Sequence, residues 1–188
     1  MKKTTQKIPI IVQRTEAVLR TVAKPVPVEE ITSLRIQKII AEMEVALDSQ
    51  DDGVAIAAPQ IGVPLRIFVV SRKVEFLVRG EDITPEKLAA AKYPIYINPE
   101  IKKLSRLKKE VDEGCLSVRY LYGKVRRSEK ATVTAYDENG KKFMQGGSGL
   151  LAQIFQHEVD HLNGTLFIDK AENIVEVLPE RLEKNKNA

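Results

Sequence analysis

Two histidines and a glutamate stand close together in Gln156-His157-Glu158-Val159-Asp160-His161. On a helix, residues four apart share a face, so both imidazoles can point at one ion. The H-E-x-x-H pattern is a signature of zinc hydrolases in which the glutamate serves as general base. His157 and His161 are the only histidines in 188 residues, and both stand at metal-binding spacing. A catalytic metal usually takes three protein ligands and keeps one position open, so one ligand is still missing. A metzincin would have a third histidine three residues after Gly164, where this chain has Phe167. Glu176 or Glu180 could complete a thermolysin-like site. The single cysteine, Cys115, within Glu113-Gly114-Cys115-Leu116-Ser117, is the other candidate. Cysteine with two histidines binds zinc, and its softness also admits iron, cobalt or nickel.

Three stretches together carry a family resemblance: Gly53-Val54-Ala55-Ile56-Ala57-Ala58-Pro59-Gln60, then Glu113 to Ser117, then Gln156 to His161. In this order across nearly the whole chain they resemble the G-x-G-x-A-A-P-Q, E-G-C-x-S and Q-H-E-x-D-H motifs of the peptide deformylases. The resemblance implies that Cys115, His157 and His161 hold one divalent metal ion. That ion would be ferrous iron in the cell, replaced by zinc, nickel or cobalt in preparations. The implied reaction removes the N-formyl group from the N-terminal methionine of newly synthesised polypeptides and releases formate. A metal-activated water would be the nucleophile, with Glu158 as general base and then acid. The Gln60 amide and the Leu116 backbone N–H would stabilise the oxyanion. Val54, Ala55 and Gly114 would meet the peptide, and Val54, Val111, Leu116, Leu150 and Ile154 would wall a pocket for the methionine side chain. Three positions depart from the family: Ala55 replaces a glycine, Arg119 stands where proline is common, and Gln153 where an apolar residue is common. The competing reading is a zinc endopeptidase built on His157, His161 and a downstream glutamate. A binding protein that merely kept the fold is a second rival, and it predicts loss of Glu158 or Gln60, yet both are present.

The elements that must position these residues are partly legible. From Leu150 to Leu162 there is no proline or glycine. Leu150, Ile154, His157 and His161 form one stripe flanked by Leu151, Phe155 and Leu162, which predicts a mostly buried helix crossing the core. Gly146-Gly147-Ser148 reads as a loop with Ser148 as N-cap, and Gly164 as the left-handed residue past the helix end. Ile36, Ile40, Met43 and Leu47 predict a second, amphipathic helix within Val28 to Gln50. Arg66–Val70 and Tyr93–Asn98 read as strands. Ala131–Tyr136 and Lys141–Gln145 flank Asp137-Glu138-Asn139-Gly140 as a hairpin. The Lys73–Lys92 segment reads as a surface insertion with a short helix opened by Thr84-Pro85. The small residues of Gly53–Gln60 would let a peptide lie alongside and exchange main-chain hydrogen bonds.

Length and composition set the frame. With 188 residues, 43% of them hydrophobic, the chain suits one catalytic domain, with an extended arm over 1–27 and a frayed polar tail over 180–188. The family fold implied is α+β, antiparallel sheets packed around a central helix that carries the metal motif. Thirty basic against 26 acidic residues give a net charge of +4, dispersed rather than clustered, which does not call for direct nucleic-acid readout. A lone cysteine excludes an internal disulfide framework and suits a reducing compartment. No apolar run reaches membrane-spanning length and the N-terminus lacks a signal-peptide pattern, so the expected location is cytoplasmic. The partners expected are N-formylmethionyl nascent peptides. A transient ribosome contact belongs to the family, although a tail this short gives it no support.

Overall fold

A computed structural model describes residues 8–178, so the tail expected from Glu180 onward and the first seven residues lie outside the described residues. In chain order the elements are α1 (Leu34–Asp48), β1 (Ala55–Ala57), β2 (Ile67–Val70), α2 (Lys73–Arg79), α3 (Pro85–Ala90), β3 (Ile95–Leu104), β4 (Lys108–Gly114), β5 (Leu121–Ser128), β6 (Lys130–Tyr136), β7 (Lys142–Ser148), α4 (Leu150–Leu162) and β8 (Glu172–Glu176). The strands form two antiparallel sheets, one in the order β1-β2-β3-β6-β7 and one in the order β4-β5-β8. This is the expected α+β class, with α4 at its centre.

Alternation along the strands explains the layers. Successive strand residues point to opposite faces. Ala55, Ala57, Phe68, Val70, Tyr96, Val133 and Ala135 therefore meet Ile154, Phe155, Val159 and Leu162 of α4. Ile56, Ile67, Val69, Ile95 and Ile97 on the other face meet Ile36, Ile40, Met43 and Leu47 of α1. Phe155 anchors the helix on the sheet, with its ring 5.4 Å from Tyr96 and 6.4 Å from Phe68. Burying an aromatic or aliphatic side chain of this size contributes about 1.5–3 kcal/mol. A third cluster, Leu19 with Val118, Val125, Leu166 and Phe167, joins the arm to the smaller sheet.

Several boundaries differ from the sequence expectation. The glycines before α4 are not a loop: Gly146, Gly147 and Ser148 belong to β7 and pair with Thr132, Ala131 and Lys130. A Cβ on Gly147 would lie 2.9 Å from Leu151 Cγ and 3.0 Å from Phe155 Cε2, so this glycine lets α4 press directly onto its preceding strand. The N-cap is consequently Gly149 rather than Ser148. Gly164 does adopt the left-handed conformation at φ 73°, and a side chain there would strike the Arg20 backbone. α1 starts at Leu34 rather than Val28, because Ser33 caps it by accepting from the Ile36 N–H while Val28–Glu30 form a separate 3-10 turn. The arm is tied down at both sides of the site: the Val12 N–H donates to the Gln60 carbonyl and the Ala23 N–H to the Leu162 carbonyl, each at 2.9 Å. Lys73–Lys92 holds two short helices, and it is more than a surface insertion because Val74 joins the core beneath α4.

Candidate active site

α4 delivers His157, Glu158 and His161 to the gap between the two sheets, and the turn after β4 delivers Cys115. The ligand atoms of Cys115, His157 and His161 lie within 4.8 Å of one another, the one such group among the described residues. The Cys115 Sγ is 3.2 Å from His161 Nε2. Glu176, a possible third ligand of a protease-like site, is exposed on β8 and outside this group. Glu180, the other, lies outside the described residues.

A chain of charged contacts holds His157 from behind. Its Nδ1 lies 3.0 Å from Glu113 Oε2, which turns the opposite ring edge toward Cys115. Arg127 grips the same carboxylate with two bonds, Nε to Oε1 at 2.7 Å and Nη2 to Oε2 at 2.9 Å. Arg127 Nη1 also donates to Asp160 Oδ2 at 2.6 Å, and Lys170 Nζ donates to Asp160 Oδ1 at 2.7 Å. Asp160 thus orients Arg127 rather than facing solvent alone. Neither Arg127 nor a structural task for Glu113 follows from local spacing. The available signal is register: Gly123, Val125 and Arg127 alternate inward along β5, and an inward arginine must be paired.

The electrostatics fit a cation. Burial works to lower the His157 pKa, but hydrogen bonds with Cys115 and Glu113 and the charges of Cys115 and Glu158 outweigh it and hold His157 well above its ordinary value. Burial, with the charge on His157 added, pushes His161 well below its own. Burial raises the Glu158 pKa to about 7, the neighbouring His157 opposing it. Burial also works against the charged form of Glu113, yet the bonds from Arg127 and His157 bring it down to about 2. Glu158 is 3% exposed, and its Oε2 has no hydrogen-bond partner among the described residues. Soft sulfur, two imidazoles and an unpartnered buried carboxylate oxygen together suit a divalent metal ion and its activated water.

Gln60 is aimed at the same place. Its Oε1 accepts from the Ala57 N–H at 2.8 Å, which fixes the amide so that Nε2 points to Ser117 Oγ at 3.2 Å and Cys115 Sγ at 3.6 Å. Leu116, beside it, has its carbonyl held by Gln13 Nε2 at 3.1 Å. Gln156 clamps α4 to β5, accepting from the Ser128 N–H and donating to the Ser128 carbonyl at 3.0 and 2.9 Å.

A cavity of about 310 Å³ opens beside His157 and Glu158. Val54, Ala55, Gln60, Gly114, Cys115, Leu116, Leu150 and Ile154 line it as the sequence reading expects. Val111 does not; it lines a separate recess with Ser128 and Ser148. Arg119, which lines the cavity with Asp52, pairs with that carboxylate at 2.8 Å and with the Gln50 amide oxygen.

Comparison with known proteins agrees with this geometry. A model of the polypeptide deformylase family matches residues 8–176. The chain is 40% identical over 176 residues to the chloroplastic peptide deformylase 1A of Solanum lycopersicum, covering 90% of this chain but 61% of that protein. It therefore spans about three fifths of that relative's length. It is 40% identical over 154 residues to peptide deformylase 2 of Clostridium acetobutylicum, covering 82% and 89% of the two chains. Among solved structures, the Met-Ala-Ser-bound class I type b peptide deformylase of Acinetobacter baumannii superposes with a TM-score of 0.74 at 31% identity, covering 87% of this chain and 98% of that one. With the family match spanning almost all described residues, the chain belongs to the peptide deformylase family.

Proposed function

We propose that this chain is a metal-dependent hydrolase that removes the N-formyl group from the N-terminal methionine of newly synthesised polypeptides. The observation that carries the reading is the meeting of Cys115, His157 and His161, with Glu158 beside them, at a cavity of about 310 Å³ that Cys115, His157 and Glu158 line. Cys115, His157 and His161 would hold one divalent ion, ferrous iron natively, with zinc, nickel or cobalt able to replace it. When bound, such an ion would polarise the formyl oxygen and lower the pKa of a bound water toward about 7.

The remaining work falls to side chains of this chain. Glu158, buried beside His157, takes a proton from the attacking water and later gives it to the leaving nitrogen. Water's oxygen bonds to the formyl carbon, the C–N bond breaks, and formate and a free amine result. The fixed Gln60 amide and the Leu116 backbone N–H donate to the oxygen on which negative charge develops. β1 and β4 each lie at an edge of their sheet and both border the cavity, so an extended peptide can add between them by main-chain hydrogen bonds. Leu116, Leu150, Ile154 and Val54 offer apolar walls to an unbranched first side chain. The Acinetobacter baumannii relative bound to Met-Ala-Ser supports a peptide of this kind.

The endopeptidase alternative needs a downstream glutamate at the histidines, and Glu176 is exposed and apart from them. No helix among the described residues is long and apolar enough to cross a membrane. With a free thiol at the centre of the site, we assign the work to the cytoplasm, where nascent chains appear. A transient ribosome contact would depend on the tail, which lies outside the described residues. Formate release from formyl-Met-Ala-Ser, measured beside cleavage of unformylated peptides, tests the reading. Formate without internal cleavage supports it; internal cleavage without formate moves the endopeptidase ahead.

A further inference from the structure

Positive charge gathers at one corner of the fold. β3 ends at Leu104 in the larger sheet and β4 begins at Lys108 in the smaller one, while Ser128 to Lys130 make the return crossing from β5 to β6. Hydrogen bonds tie the two crossings together. The Ser105 N–H donates to the Lys130 carbonyl at 2.9 Å, the Lys130 N–H to Ser105 Oγ at 3.1 Å, and the Glu129 N–H to the Leu107 carbonyl at 3.1 Å. Ser105 Oγ also donates to the Leu107 carbonyl at 2.8 Å, which fixes the shape of the Ser105-Arg106-Leu107 turn. Lys102–Lys109 carries five basic residues and no acid, a larger local charge than the +4 of the whole chain. Lys130 adds a sixth, and all six are exposed. Lys102 pairs with Glu100 and Lys109 with Glu129, whereas Lys103, Arg106, Lys108 and Lys130 have no ion-pair partner among the described residues.

Two leucines stand within this charge. Leu104 is 44% and Leu107 64% exposed, one at each end of the turn. Exposed leucines gain nothing from a phosphate backbone, and Lys102–Lys109 offers no aromatic ring or side-chain amide to a nucleic-acid base. Apolar side chains flanked by lysine and arginine suit the surface of an anionic bilayer instead, where leucine enters the acyl boundary and the cations meet the headgroups. The lysine stems can lie along that boundary while their ammonium groups stay wet. The corner and the cavity lie at opposite ends of β4, roughly 20 Å apart along the strand. No residue of Lys102–Lys109 lines the cavity, so the corner can be occupied without filling the site.

We propose that the corner between β3 and β4 is a reversible docking surface for an anionic lipid bilayer, with Leu104 and Leu107 entering the interface and Lys103, Arg106, Lys108 and Lys130 facing the headgroups. This goes beyond the deformylase reading and does not depend on it. Each basic group at such a surface is worth roughly fivefold in affinity, so the contact should be dominated by these cations and finished by the leucines.

The test is co-sedimentation of the full chain with vesicles of phosphatidylcholine, alone or mixed with phosphatidylserine, beside binding to a duplex RNA. The parent should bind the mixed vesicles but not the phosphatidylcholine ones, and should weaken as salt is raised. Lys103→Gln, Arg106→Gln and Lys108→Gln combined should lose about a hundredfold in affinity. Leu104→Ser with Leu107→Ser should lose about tenfold while keeping the salt dependence, a loss that a purely electrostatic contact does not show. Formate release from formyl-Met-Ala-Ser and the urea midpoint should be those of the parent in both variants. Should a combined variant fail to fold, Arg106→Gln alone, on the exposed turn, should still lose about fivefold. A parent that ignores the mixed vesicles, or folded variants that bind them as tightly as the parent, overturns the proposal. Duplex RNA bound more tightly than the mixed vesicles, with the leucine variant unaffected, overturns it in favour of a phosphate backbone. Absence of formate release by the parent bears on the deformylase reading alone and leaves the vesicle result standing.

Discussion

The Glu113 carboxylate lies 3.0 Å from His157 Nδ1 while both of its oxygens accept from Arg127, so the orientation of a metal-ligand candidate depends on an ion pair bridging two β-strands. The side chains of Glu113 and Arg127 are 1% and 6% exposed. Taking away one partner leaves the other charged and buried, which costs about 3–5 kcal/mol. Arg127→Met should therefore lower the unfolding free energy of the metal-free chain by that order in urea titration. A loss below 1 kcal/mol would mean that Asp160 and Lys170 leave Glu113 adequately compensated without Arg127.

The same contact has a pH signature. Glu113 is held at about 2, below its ordinary 4.5, so its contribution to stability is full above 4.5 and is lost as pH falls toward 2. Metal-free protein should lose stability across that window, and Glu113→Gln should show a shallower slope there. Equal slopes for the two proteins would contradict the assignment.

Metal affinity should respond to Glu113 as well. Changing a carboxylate that orients a ligating histidine typically costs about 10–100-fold in affinity. Competition with a chelator should show that loss in Glu113→Gln while Gln60→Ala keeps the parent's affinity. Gln60→Ala should instead lower kcat by about a hundred- to a thousandfold, since it removes a donor to developing charge.

Packing offers a further check. Gly147→Ala would put a methyl group 2.9 Å from Leu151 Cγ, forcing α4 away from β7. Overpacking of this kind costs about 1–3 kcal/mol. A melting temperature unchanged from the parent would show that the helix can shift freely.

How much of this was legible beforehand varies with the range of the interaction. The α4 helix and the Asp137–Gly140 hairpin follow from local periodicity and turn chemistry, and both are where the spacing predicts. Ligand chemistry makes Cys115 one candidate beside Glu176 and Glu180, and the resemblance singles out Cys115 and Gln60, because residues 46 and 101 positions before His161 have no local rule that brings them to it. Gly146-Gly147 misled, since glycine usually breaks strands and here it serves a close helix approach that only tertiary packing reveals. Arg127 went unnoticed because its partners come from β4 and α4. Val111 is expected in the pocket but lines a separate recess, a difference that depends on how β4 meets α4 and that no local pattern in the sequence carries.

The central claim is that Cys115, His157 and His161 hold a metal ion and that Glu158 moves the proton. The most direct measurement pairs metal content with formate release from formyl-Met-Ala-Ser for the parent, Cys115→Ser and Glu158→Ala. The parent should hold one ion per chain and release formate. Glu158→Ala should keep the ion and lose about a hundred- to ten-thousandfold in rate, as expected for a general base. Cys115→Ser should lose both affinity and turnover. A Cys115→Ser protein with full metal content and full turnover, or a Glu158→Ala protein as fast as the parent, would contradict the account.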